Sequence, residues 1–146
     1  MDEGSLRFLE ELSNAPGPSG YEREAMKVIK RRLDGLADMC TDRLGSLIYS
    51  HNGTEGGPVV LFPGHIDEIG FSIGSIGPDG FMSFNPLGYW WEQSLIGQKV
   101  KVLTKEGELR GVIATAFPFA RESKPDKPLP LGGMCIDIGA SSREEA

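Results

Sequence analysis

The segment Leu61-Phe62-Pro63-Gly64-His65-Ile66-Asp67-Glu68-Ile69-Gly70-Phe71 (LFPGHIDEIGF) sets a histidine and an aspartate two residues apart, directly behind an apolar run. Val59 to Phe62 has the length and character of a short strand covered on both faces, which predicts a central place in a sheet. His65 then falls at the C-terminal end of that strand, where open α/β sheets gather their ligands. Side chains two apart on extended backbone share a face. Asp67 is thereby within reach of the far ring nitrogen of His65, the arrangement that fixes the tautomer of a metal ligand and raises its basicity. Gly64 leaves room for close approach to the backbone. Taken alone, His-x-Asp leaves two readings open: a metal ligand with its orienting carboxylate, or a surface histidine. Glu68 reads equally well as an exposed loop acid. The other histidine, His51, sits beside an Asn52-Gly53 turn and reads as a surface residue.

Upstream of this segment the apolar spacing is helical. Phe8, Leu9 and Leu12 predict a helix over 6–13, ended by NAPGPSG at 14–20 because proline cannot continue a helix and glycine favours turns. A second helix is expected from about Gly20, with Ser19 and Glu22 as a capping box. Tyr21, Ala25, Val28, Ile29, Leu33 and Leu36 form its apolar stripe, with Arg23, Glu24, Lys27, Lys30 and Arg31 on the solvated face. From Met39 the period shortens. MCTDRLGSLIYS (39–50) predicts two short strands around a turn at 42–45.

Downstream the pattern is antiparallel β. Alternation around GPDG (77–80) and around KEG (105–107) predicts two hairpins. FPFARESKPDKPLPLGG (117–133) reads as a long proline-rich loop, and MCIDIGA (134–140) as a further strand. Ser141 and Glu144 suggest another capping box, a helix start that reads as interrupted at Ala146. Of the adjacent Trp90 and Trp91, one is expected in the core and the other either marks a partner surface or covers a hairpin. Ser19, Ser141 and Ser142 lack a histidine base and read as caps, not nucleophiles.

Composition narrows the function classes. The chain of 146 residues is 39% hydrophobic and 25% charged, as in a soluble globular protein. A net charge of −6 argues against general binding to nucleic-acid phosphate. The longest apolar runs fall well short of the ~20 residues of a membrane span, and the acidic start MDEGSLRFLEELS is not a signal peptide. Cys40 and Cys135 lie far apart without a CxxC motif, which fits reduced thiols and a cytoplasmic location. A phosphate-cradling loop and a dinucleotide fingerprint are both absent from the sequence.

The ordered motifs APGPSGYE, DRLGSLI, GHIDEIGF, GFMSFNPLG, LIGQKVKV, RGVIA and IDIGASSREEA, running from about Phe8 to the last residue, resemble the N-terminal part of the tetrahedral (TET) aminopeptidases. This di-metal peptidase family includes the deblocking and glutamyl aminopeptidases. The resemblance implies an α/β fold: part of a di-zinc-exopeptidase-type catalytic domain over residues 1–68, with helices on a mixed sheet. It also implies an inserted antiparallel β-barrel-like, PDZ-like dimerisation domain over 69–146, incomplete at its C-terminus. The implied activity is removal of N-terminal residues from peptides, with two divalent metals, zinc or cobalt, in homo-oligomeric particles. His65 takes the position of a metal ligand and Asp67 that of the aspartate that orients it and supports catalysis. Asp137 falls in the inserted domain and is not a ligand. Gly64 departs from the small non-glycine residue usual at its position. The remaining ligands and the general-base glutamate of the family lie beyond the matched motifs, and a site of two metals needs several protein ligands and a base. The 146 residues alone are therefore expected to be inactive and to need a complementing C-terminal fragment. The alternative is a non-catalytic assembly subunit that retains the dimerisation domain around Trp90 and Trp91. Either way, Val59 to Phe62 is expected to lie uncovered at a sheet edge, and substrate-binding residues are not assignable.

Overall fold

A computed structural model of the chain describes residues 1–115 and 129–146. They form two units, Met1–Glu68 and Ile69–Ala146.

In the first unit, helix α1 spans Glu3–Asn14 and helix α2 spans Arg23–Leu33. α1 starts earlier than its apolar spacing suggested because Asp2 caps it. The Asp2 carboxylate accepts from the Ser5 backbone N–H at 2.7 Å and from the Ser5 hydroxyl at 3.0 Å, which satisfies a donor that the first turn otherwise leaves open. The Ser5 backbone N–H, then its hydroxyl, holds the Asp2 carboxyl below its ordinary range. α2 buries Ala25 and Val28. Between the helices, Glu11 pairs with Arg31 at 2.6 Å and the Arg32 guanidinium lies 6.0 Å from the Phe8 ring centre.

Strand β1 (Asp38–Thr41) pairs antiparallel with β2 (Leu47–Ser50), Cys40 facing Ile48. The turn is built by Asp42, whose carboxylate accepts from the Leu44 and Ser46 backbone N–H groups and the Ser46 hydroxyl at 2.8–2.9 Å. This hairpin takes the place of the mixed sheet expected over 1–68. Val59 to Phe62 is not a strand. It is extensively exposed, Val59 at 99% and Phe62 at 89%. A strand exists only where a neighbour completes its hydrogen-bond ladder, and no described residue of this unit lies alongside in that role. The expected edge is thus an apolar segment without a sheet.

The second unit carries five antiparallel strands: β3 (Gly70–Ile76), β4 (Met82–Leu87), β5 (Lys99–Leu103), β6 (Glu108–Thr115) and β7 (Met134–Asp137). Their order is β3-β4-β7-β6-β5. The last strand in sequence is therefore central, with Ile136 facing both Met82 and Ile113. Met82, Phe84, Leu95, Val102, Ile113, Met134 and Ile136 form the core. Phe71 meets Phe84 edge-on at 4.8 Å and stacks on Trp90 at 4.7 Å. The Trp90 indole N–H donates to the Gly70 carbonyl at 3.0 Å, so the indole is accommodated without an orphaned donor. Trp91 is 72% exposed. The tryptophan pair thus divides as expected, one toward the core and one toward solvent. Both hairpin turns also fall where the sequence put them. The 117–133 loop lies largely outside the described residues; its end forms a 3-10 turn at Leu131–Gly133.

At the C-terminus the expected capping box is displaced by one residue. The Ser142 hydroxyl accepts from the Glu145 backbone N–H at 3.3 Å, and the Glu145 carboxylate accepts from the Ser141 backbone N–H at 2.7 Å. Arg143 donates to the Ile76 carbonyl at 2.8 Å, tying this turn to the β3–β4 hairpin. Cys40 is an exposed free thiol and Cys135 a buried one.

Gly80 is fixed by two constraints. Its φ is +83°, and a Cβ there would sit 2.6 Å from the Ala140 carbonyl oxygen. Gly97 has φ +80° with open space around it. Gly97→Ala is expected to cost about 1–2 kcal/mol, the left-handed penalty alone. Gly80→Ala is expected to cost at least about 2 kcal/mol more, because backbone must move. Urea midpoints read by tryptophan fluorescence compare the two, and equal losses would count against the close packing at Ala140.

Candidate metal-ligand corner

The residues after the apolar run reach the α1–α2 connection. Pro16 and Pro18 have no backbone N–H, so Gly17 carries the sole backbone donor of that tripeptide. The Gly17 N–H donates to the Glu68 carboxylate at 2.9 Å, and the Glu68 N–H donates to the Gly17 carbonyl at 2.8 Å. An isolated parallel bridge pairs Pro18 with Glu68. Glu68 is therefore a clamp, not a free loop acid.

Next to the clamp, the Ser19 hydroxyl donates to Asp67 Oδ2 at 2.8 Å. Ser19 is not the cap of α2, whose N-cap position is Glu22. That helix begins after Glu22 without a side-chain cap, and the Glu22 carboxylate accepts from the Gly20 N–H at 2.6 Å. The one proton of the Ser19 hydroxyl is donated to the Asp67 carboxylate. The other oxygen, Asp67 Oδ1, lies 3.1 Å from His65 Nδ1, as does the Asp67 carbonyl oxygen. Asp67 thus stands between Ser19 and His65. Its carboxyl is held below the ordinary range first by the Ser19 hydroxyl and then by His65. The sign follows from linkage: stabilisation from these bonds is complete above the ordinary aspartate range and is lost as pH falls through the lowered value.

This geometry accounts for each expected site residue. His65 and Asp67 come together as the two-residue spacing required. With Nδ1 directed at Asp67 as donor, Nε2 is the ring atom left for a ligand. The His65 side chain is 85% exposed. His51 is exposed and apart from this group. Asp137 lies in β7 and accepts from the Gly139 N–H at 2.8 Å. Among the described residues there is no group of three or more His, Cys, Asp or Glu side chains able to hold a metal ion. The donor set among the described residues therefore does not fit a two-metal centre. The contact of Ser19 with Asp67 was not foreseen because the Ser19 pattern also matches a helix cap. The signal for Glu68 was present in the lone donor between two prolines.

The chain thus combines helices and antiparallel strands with a His-x-Asp tied to a Pro-Gly-Pro-Ser loop. A match to the M42 glutamyl aminopeptidase family covers residues 45–146, and the chain belongs to that family. It is 37% identical over 144 residues to FrvX of Escherichia coli (strain K12), a match spanning 97% of this chain and 40% of FrvX. The structure superposes with a TM-score of 0.89 on the TET aminopeptidase of the marine sediment archaeon Thaumarchaeota archaeon SCGC AB-539-E09, at 39% identity, over 99% of this chain and 41% of that one. Pyrococcus horikoshii TET1 peptidase, which can assemble into a tetrahedron or a large octahedral shell, gives a TM-score of 0.83 at 35% identity over 97% of this chain and 42% of its own. The chain thus spans about two fifths of these relatives. No helix among the described residues is long and apolar enough to cross a membrane.

Removing the clamp acid tests this arrangement. In Glu68→Ala the Gly17 amide loses its charged acceptor, and its hydrogen exchange is expected to rise on the order of tenfold, the equivalent of about 1.4 kcal/mol. Unchanged protection would show that the loop is held by something else.

Proposed function

We propose that these residues contribute the His65–Asp67 corner of a metal-dependent aminopeptidase that removes N-terminal residues from peptides. The carrying observation is the Nδ1-to-carboxylate contact at 3.1 Å, which leaves Nε2 open on an exposed ring. In this reading His65 is a metal ligand, Asp67 fixes its tautomer, and the metals are zinc or cobalt, two in a complete site. When bound, such metals supply Lewis-acid polarisation of the scissile carbonyl. The chain's own residues bind and orient. Gly17 and Glu68 hold the loop, Asp67 aims the ring, and no described residue cluster supplies the other ligands. Residues 1–68 correspond to part of the catalytic domain and 69–146 to a PDZ-like inserted domain. The family resemblance supports that division, a cytoplasmic location and homo-oligomeric assembly.

A polypeptide of these 146 residues is accordingly expected to be inactive alone. Complementation by the remaining part of an M42 relative tests the reading. With an aminoacyl-anilide and Zn(II) or Co(II), the pair should turn over. His65→Ala should abolish that turnover, and Asp67→Ala should lower it roughly 10- to 100-fold, the range for a residue that orients a ligand. Full activity in His65→Ala would sink the assignment.

The alternative of a non-catalytic assembly subunit is favoured by one observation: the second unit has a packed core yet exposes Tyr89 at 99% and Trp91 at 72%. Light scattering separates the readings, since a strict monomer at high concentration rules out the assembly role.

A further inference from the structure

We propose that Ser19 is a positioning residue for the metal-ligand corner, acting on His65 through Asp67. The inference rests on the reading of His65 and Asp67 given above and adds a residue to it. A carboxylate beside an exposed imidazole can swing about its Cβ–Cγ bond and offer either oxygen, or turn to water. Here Ser19 removes that freedom. Its hydroxyl holds Oδ2 at 2.8 Å, so that Oδ1 is the oxygen presented to Nδ1 at 3.1 Å. Ser19 is in turn placed by the loop that precedes it. Gly17, two residues earlier, is bonded through both its N–H and its carbonyl to Glu68, the residue after Asp67. Donor and acceptor are therefore carried on two segments pinned to each other one step away.

The arrangement is not that of a serine nucleophile. A nucleophilic serine needs the imidazole as its immediate neighbour, with the carboxylate on the imidazole's far side. In this chain the carboxylate lies between the two, so the serine proton is directed at Asp67 and the ring keeps Nε2 outward. The chemistry matches the outer contacts of metal-binding histidines, in which a carboxylate that orients the ring is itself hydrogen-bonded.

The chain's two histidines make the test direct. Nitrogen NMR of the 146-residue protein, at a pH about two units above the ordinary histidine value, reads the Nδ1 and Nε2 resonances of His65 with the exposed His51 as internal reference. In the native chain the His65 pair should be displaced from that of His51. In Ser19→Ala it should move toward His51, as in Asp67→Ala, and Ser19→Thr should restore the native positions. Protection of the Gly17 amide shows whether the loop stays clamped in each variant. If Ser19→Ala releases the loop, the threonine variant decides: restored His65 resonances support the hydroxyl's role, and a failure to restore them overturns it. Displacement in Asp67→Ala with none in Ser19→Ala defeats the role of Ser19 alone. Resonances unmoved in Asp67→Ala defeat the orienting role of Asp67 and this inference with it.

Discussion

The first unit turns on one reciprocal contact, in which Glu68 takes the Gly17 N–H with its carboxylate and gives its own N–H to the Gly17 carbonyl. Everything chemically notable in that unit lies next to it. Asp67 precedes Glu68 and Ser19 follows Pro18, so the clamp brings Ser19 and Asp67 to 2.8 Å across 48 residues of chain. A hydrogen bond that long-range must offset the loss of chain freedom on closing the loop. The two prolines at 16 and 18 reduce that loss because their φ angles are restricted before folding. The restricted backbone of Pro16-Gly17-Pro18 and the single donor of that tripeptide have the same origin.

The second unit is organised by a different constraint. β7 is the last strand and pairs with both β4 and β6. β7 thus lies between the two hairpins, β3–β4 and β5–β6. Ile136, Met134 and Cys135 are all buried, so the strand brings core side chains as well as ladder bonds. Burial, and the nearby Asp137 and Asp79 carboxylates, push the Cys135 thiol above its ordinary value, and it behaves there as a small apolar group. Gly111 faces Ile136 so closely that a Cβ would lie 2.9 Å from its Cγ2. Close packing at this seam follows from the order of the strands.

What was legible in the sequence was local. Apolar spacing located both helices, and Asp42–Gly45, Gly77–Gly80 and Lys105–Gly107 located three turns, because a turn's chemistry is contained in its own residues. The His-x-Asp side chains meet for the same reason: their spacing alone puts them together. The errors share a cause as well. Ser19 with Glu22 satisfies a capping pattern, but its hydroxyl goes to a carboxylate 48 residues away. Val59 to Phe62 satisfies a strand pattern, but the pattern describes a side-chain environment and does not supply a neighbour. The central place of β7 depends on pairing between distant segments, which no window around Met134 contains.

The misread strand and the candidate site bear on each other. Val59 to Phe62 ends three residues before His65, and both are open to water. Burying four such side chains is worth roughly 1.5–3 kcal/mol each, enough to bind a covering sheet segment to this face. That cover would also lower the local dielectric around Asp67 and His65, strengthening the contact between them. In the proposed enzyme, then, completing the sheet and completing the metal corner are coupled. The apolar run that drives the first lies three residues from the histidine proposed to serve the second, and the exposure of His65 goes with that of the uncovered apolar segment before it.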